Sequence, residues 1–178
     1  MFSFNQSDFK RNKNSCWLSS QIIGLHNNVL KTPITQPILD RIEKYMREED
    51  KRPMGLAWLT IKAWLDRIER YTQVVLKKPV RKVIFDFWSP EFYKLLDAGW
   101  VISVTINTGT KFHSDRKTGK PIVWTYIQRK WGHAIGLYKK DWKYYFLNSR
   151  WTTNQSREVD MKVVWLFRWW DCGALLPM

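Results

Sequence analysis

Cysteine is almost missing from this chain. Cys16 and Cys172 are the only two in 178 residues, too few for a disulfide framework, and such sparing use suits a reducing compartment. Histidine is as scarce: His26, His113 and His133 lie far apart. With two separated cysteines they make no metal-ligand spacing, and no glycine-rich phosphate loop is present, so no metal or cofactor is expected. No apolar run approaches the ~18 residues of a membrane-spanning helix, and the first residues, MFSFNQSDFKRNKNSC, lack the apolar core of a signal peptide. Repeats, low-complexity stretches and linkers are absent too. The length and an apolar fraction of 44% suit a single domain over 1–178. Acidic residues number 16 against 30 lysines and arginines, a formal charge of +14. That excess implies acidic surroundings, nucleic acid, a membrane surface or another anionic partner, or else serves only to solvate the surface.

What the chain has in plenty is tryptophan, twelve in all, together with a change of period near residue 80. Leu18, Ile22, Leu25 and Val29 recur as one stripe of a helix beginning near Cys16. Thr35 and Pro37 open a second helix, with Ile38, Ile42, Tyr45 and Met46 on its apolar side. After a break at Pro53–Gly55, a third carries Leu56, Leu59 or Thr60, Trp64, Ile68, Tyr71 and Val75. From Lys82 the pattern becomes extended. Val83–Phe87 and Trp100–Ile106 read as strands, separated by a helix from Ser89-Pro90 to Leu96 that ends at Gly99. Residues 107–120, basic and containing His113, read as a mobile excursion, and Pro121–Gln128 as a return towards the sheet. Val163–Trp169 would close that sheet, with the tail Asp171–Met178 laid over it. The expectation is an α+β domain, residues 1–80 mainly helical and 81–178 mainly an antiparallel sheet.

The segment WGHAIGLYKKDWKYYFLNSRW, residues 131–151, reads as a β-hairpin. A loop centred between Lys140 and Asp141 sets His133 directly opposite Asn148. Opposed side chains in an antiparallel pair have Cβ atoms roughly 4.5–5.5 Å apart, so an amide oxygen can hold one imidazole nitrogen and fix the tautomer. An odd-length loop would put the two on opposite faces. A candidate partner for that imidazole is Cys16, in the first turn of the first helix. Unpaired backbone N–H groups and the helix dipole favour a thiolate there, below the reference pKa of about 8.5. Cys16, His133 and Asn148 thus make a nucleophile, a base and an orienter.

Ser15-Cys16-Trp17 opening a helix, Gly132-His133-Ala134 opening a strand, and Asn148-Ser149 followed by Trp151 together resemble the signature segments of papain-like cysteine peptidases. The order agrees, although His133 follows Cys16 by 117 residues, an interval shorter than the ~130–150 outlined for that family. The helix-Gly-strand run Leu95–Ile102 is similar to the segment before the sheet in some compact members. The resemblance implies a papain-like fold, a helical layer against a sheet, with a peptide substrate lying across the groove between them. It implies acyl transfer to the Cys16 sulfur, with His133 protonating the leaving amine and then activating water. Trp17 and Trp151 would stand beside the site, the latter shielding the imidazole–amide bond from water. The backbone N–H of Cys16 would supply one oxyanion donor. The family's second donor, a glutamine a few residues before the cysteine, has no match: Lys10 falls where that spacing points. Gln6 ranks first as a substitute, ahead of Asn12 and of Asn14, which can instead cap the helix.

Two other classes stand beside the peptidase: a cell-wall amidase or endopeptidase with a related Cys-His-polar set, and a virion or nucleoprotein component that keeps the fold without turnover. The missing close glutamine and the positive charge favour the last. An intracellular or virion-internal location is the expectation. His26 and His113 read as surface residues, and Cys172 as structural.

Overall fold

The computed structural model describes residues 1–5, 8–9, 16–50, 61–107, 111–114, 121–125, 132–149, 156–159 and 172–178. Among these, helices fill the amino-terminal part and an antiparallel sheet the carboxy-terminal part, the α+β arrangement expected. Helix α1 (Cys16–Leu25) continues into a wider π-helical turn over His26–Leu30. Helix α2 (Gln36–Tyr45) follows, with Thr35 at its N-cap and a proline in its first turn, and Met46–Asp50 widens in the same way. Helix α3 is Ile61–Val74, and α4 is Pro90–Asp97. Ser89 caps α4, its Oγ accepting the Phe92 N–H at 3.3 Å, and Gly99 ends it at a φ of +77°, which glycine adopts without strain. The strands are β1 (Val80–Phe85), β2 (Ile102–Asn107), β3 (Lys111–Ser114), β4 (Pro121–Thr125), β5 (Gly132–Lys140), β6 (Lys143–Leu147), β7 (Ser156–Val159) and β8 (Cys172–Pro177).

Six strands form one sheet in the order β1-β8-β2-β5-β6-β7, and β3 pairs with β4 in a separate ribbon. Two expectations fall here. Residues 111–114, read as part of a mobile excursion, form a strand carrying His113. The tail does not lie over the sheet but enters it: Ile84 and Ser103 flank Gly173 from either side. Cys172, Ala174 and Leu176 serve one apolar cluster and Leu175 the other. A strand buried on both faces carries no polar alternation, so a short run such as CGALLP has no period to betray it. Residues 53–60, read above as a break and the start of the third helix, and 163–169, read as a closing strand, lie outside the described residues.

The sheet separates two apolar clusters. On one face α1, α2 and α3 pack through Leu18, Ile22, Ile42, Trp64, Ile68 and Tyr71; on the other α4 packs through Phe92, Leu95 and Leu96. Helix α1 is not the one-sided helix its stripe suggested. Every residue from Leu18 to Leu25 is buried, including Ser19, Ser20 and Gln21. A helix closed in on all sides is the central support of its layer, and it carries Cys16 at its tip.

Candidate active site

The hairpin forms, but with its register displaced. Lys140 pairs with Lys143, Tyr138 with Tyr145 and Gly136 with Leu147, so the turn is Asp141-Trp142 rather than centred between Lys140 and Asp141. Both turn residues have positive φ, 49° and 63°, the signature of a type I′ turn, which matches the twist of the strands it joins. Either register keeps the same residues on the same faces. The choice is made by cross-strand packing, notably Tyr138 and Tyr145, whose rings stack at 5.1 Å and 15°.

The pairing ends at Gly136–Leu147, and its register is two residues away from the one that would set His133 directly opposite Asn148, so the two are offset along the hairpin. They still meet: His133 Nε2 lies 2.9 Å from Asn148 Oδ1, with His133 4% and Asn148 5% exposed. The bond is made by the far nitrogen of the ring, the atom able to span the offset. An amide oxygen only accepts, so Nε2 carries the proton. In the neutral imidazole the lone pair is then on Nδ1, the nitrogen on the other side of the ring from Asn148. A base oriented in this way keeps one nitrogen as anchor and the other for proton transfer.

Cys16 is the first residue of α1 and half-buried, and neither cysteine is in a disulfide. The line of α1 follows from its contacts. A Cβ added to Gly136 would lie 3.6 Å from Ile23 and 3.2 Å from Val101, so helix and sheet meet closely there. Further along α1, Asn28 Nδ2 donates to Val101 O at 2.8 Å and Leu175 O at 3.0 Å, while Asn28 Oδ1 accepts from Val101 N at 2.8 Å. Val101 precedes Ile102, which pairs with Leu137. Helix α1 and strand β5 therefore run the same way. From Ile23 back to Cys16 the helix covers about 10 Å, and from Gly136 back to His133 the strand also covers about 10 Å. Cys16 and His133 accordingly lie at the same end of the sheet. Two turns from Ile23, Cys16 shares its sheet-facing side. Strand alternation directs His133, like Ile135 and Leu137, to the face opposite α1.

Residues that sequence reasoning passed over hold this frame. Asn27 Nδ2 donates to Phe2 O at 2.8 Å and its Oδ1 accepts from Phe2 N at 2.8 Å, binding the amino-terminal residues to the π-helical turn that continues α1. A pair of asparagines inside an apolar helix was the available sign. Gly136, inside a strand pattern, was the sign of a close backbone approach. His26, read as a surface residue, is buried, and its Nδ1–H donates to Thr32 O at 2.9 Å where the helix ends; loss of solvation holds its pKa below the ordinary imidazole value despite that bond. The reason is that the whole helix is enclosed, which no single stripe reveals. Trp17 is half-buried against the α1 cluster. Gln6, Asn12, Asn14 and Trp151, the oxyanion and shielding candidates, lie outside the described residues.

No protein-family model matches this chain, and no curated protein matches it either.

Proposed function

We propose that the chain is a cysteine peptidase of papain-like design, with Cys16 as nucleophile, His133 as general base and acid, and Asn148 as the residue that orients it. The observation that carries this reading is the buried Nε2–H···Oδ1 bond at 2.9 Å. It leaves the basic lone pair on Nδ1, and the helix that presents Cys16 begins at the same end of the sheet. In this reading the sulfur reaches Nδ1 around the end of β5, since helix and ring approach from opposite faces. Nδ1 takes the thiol proton, the thiolate attacks a peptide carbonyl, and a tetrahedral oxyanion forms beside the Cys16 backbone N–H at the helix tip. The imidazolium returns the proton to the leaving amine, giving a thioester. His133 then deprotonates water to release the acid and restore the thiol.

The test is turnover of a peptide library by the purified chain, with purified cell wall as a parallel substrate. Peptide cleavage that disappears in Cys16→Ala, with a thioester trapped on Cys16 in the parent, supports the reading. Cleavage of cell wall alone assigns the amidase chemistry instead. No turnover of either, by a chain that folds normally, leaves a binding component with an inactive site.

A further inference from the structure

The end of the sheet away from His133 bears a different kind of surface. There the β5–β6 turn places Trp142 in solvent, 89% exposed, the most exposed large apolar side chain among the described residues. Its backbone is held at a φ of +63°, a region that a bulky residue occupies only at a cost. Asp-Gly would satisfy this turn better, so folding does not explain an exposed tryptophan in its place.

The ring is not loose. Lys139 Nζ sits 4.9 Å from the Trp142 centroid and is itself anchored by Asp97 at 2.5 Å from the end of α4. One face of the indole is thus backed by a fixed cation, and the other is open. The arrangement recurs one strand away, where Lys31 Nζ lies 5.2 Å from the centroid of half-buried Trp100. Continuing the β2–β5 register sets Trp100 beside Lys139. Exposed Lys140 and Lys143, a directly opposed pair on the other face of the hairpin, bring two more cations to the turn, Lys143 Nζ lying 3.3 Å from Glu158, and exposed Arg81 on β1 marks the far side of this sheet end. From β1 to β6 the sheet spans four strand spacings, about 19 Å.

We propose that this sheet end binds single-stranded nucleic acid, the phosphates passing the lysines that flank the turn and a base stacking on the open face of Trp142. Aromatic faces interleaved with cations on a sheet edge are the elements of a sequence-tolerant stacking platform, and the +14 charge of the chain supplies the field that draws a polyanion to it. An anionic bilayer fits less well. The neighbours of Trp142 in the turn, Lys140, Asp141 and Lys143, are all charged, and inserting the ring would draw Asp141 towards the lipid. The surface lies at the opposite end of β5 from His133, so nucleic acid and a peptide would not compete. The proposal stands apart from the peptidase reading.

Fluorescence anisotropy of a labelled oligothymidine, titrated with the full chain over a salt series, tests it. Binding should weaken steeply with salt, and Trp142→Gly should lower affinity roughly tenfold, the order of one stacked base, without lowering the melting temperature. Replacing Lys140 and Lys143 by glutamine should flatten the log–log salt slope by about 0.7 for each phosphate that is no longer neutralised. Cys16→Ala should bind as the parent does, which separates this result from the fate of the active-site reading. Equal affinity for the parent and Trp142→Gly would overturn the proposal, as would no binding at low salt, or co-sedimentation with phosphatidylserine vesicles by a chain that ignores the oligonucleotide.

Discussion

Replacing Asn28 by alanine removes three hydrogen bonds at once, and the structure says what each was holding. The side chain bridges α1 to two strands: it donates to the carbonyls of Val101 and Leu175 and accepts from the Val101 N–H, all with Asn28 almost wholly buried. A typical internal hydrogen bond is worth about 1 kcal/mol net, but a buried polar group left without its partner costs roughly 1–3 kcal/mol. Allowing for water entering the space of the lost amide, three such groups point to a loss of about 3–5 kcal/mol. That is a large share of the ~5–15 kcal/mol a domain has in total. Urea denaturation followed by circular dichroism measures it as a lower midpoint at unchanged slope. Asn28→Asp sharpens the argument. It keeps the shape and can still accept from Val101 N, but it turns an oxygen towards two carbonyl oxygens. It should therefore be at least as damaging at neutral pH, and partly recover in acid as the carboxyl gains a proton to donate. A loss under about 1 kcal/mol in both variants, no more than one ordinary hydrogen bond, would mean that α1 is held over the sheet by apolar packing alone. The placement of the Cys16 end of α1 over the sheet would then lack its main polar restraint.

Further outcomes follow from the same frame. Gly136→Ala puts a methyl 3.2 Å from both Leu147 Cβ and Val101 Cγ1, tighter than ordinary contact. It should cost about 1–3 kcal/mol by overpacking, read from the denaturation midpoint, the strain falling on Leu147 and Val101 while Ile23 of α1, at 3.6 Å, stays in ordinary contact. For His26, burial lowers the folded pKa below the unfolded value of 6.5. The unfolded chain therefore binds the proton first, and stability present above about pH 6.5 declines as pH falls from there towards the depressed folded value. His26→Gln should flatten that part of the stability–pH curve, measured as the difference between the two proteins so that other groups cancel.

Much of the frame could be read from residue patterns, and the failures share a physical cause. Ser89-Pro90 and Gly99 mark α4 correctly because caps are local chemistry. The hairpin's parity was legible because side chains alternate; its register was not, since displacing it by two leaves every side chain on the same face and only the Tyr138–Tyr145 stack and the turn conformation decide. His133 and Asn148 were therefore paired on the right face through the wrong geometry, offset in place of direct. Strand β8 and the burial of His26 were hidden for a related reason. Both depend on what covers the far side of an element, and a period describes only one side. Asn28 shows the same limit: its partners, Val101 and Leu175, are distant in the chain, and nothing near position 28 names them.

The structure also changes how an activated Cys16 must be detected. Cys172 lies fully buried in β8, so slow alkylation there would say nothing about Cys16, and the proper reference is a small free thiol with a pKa near ~8.5. The direct measurement is the rate of alkylation at Cys16 against pH, followed by mass spectrometry, in the parent, His133→Ala and Asn148→Ala. If His133 Nδ1 takes the thiol proton, the parent should react well below the pH at which the reference thiol does. His133→Ala should shift the profile towards the reference, and Asn148→Ala should fall between. A parent profile that coincides with the reference thiol, or one that His133→Ala leaves unmoved, would contradict the account.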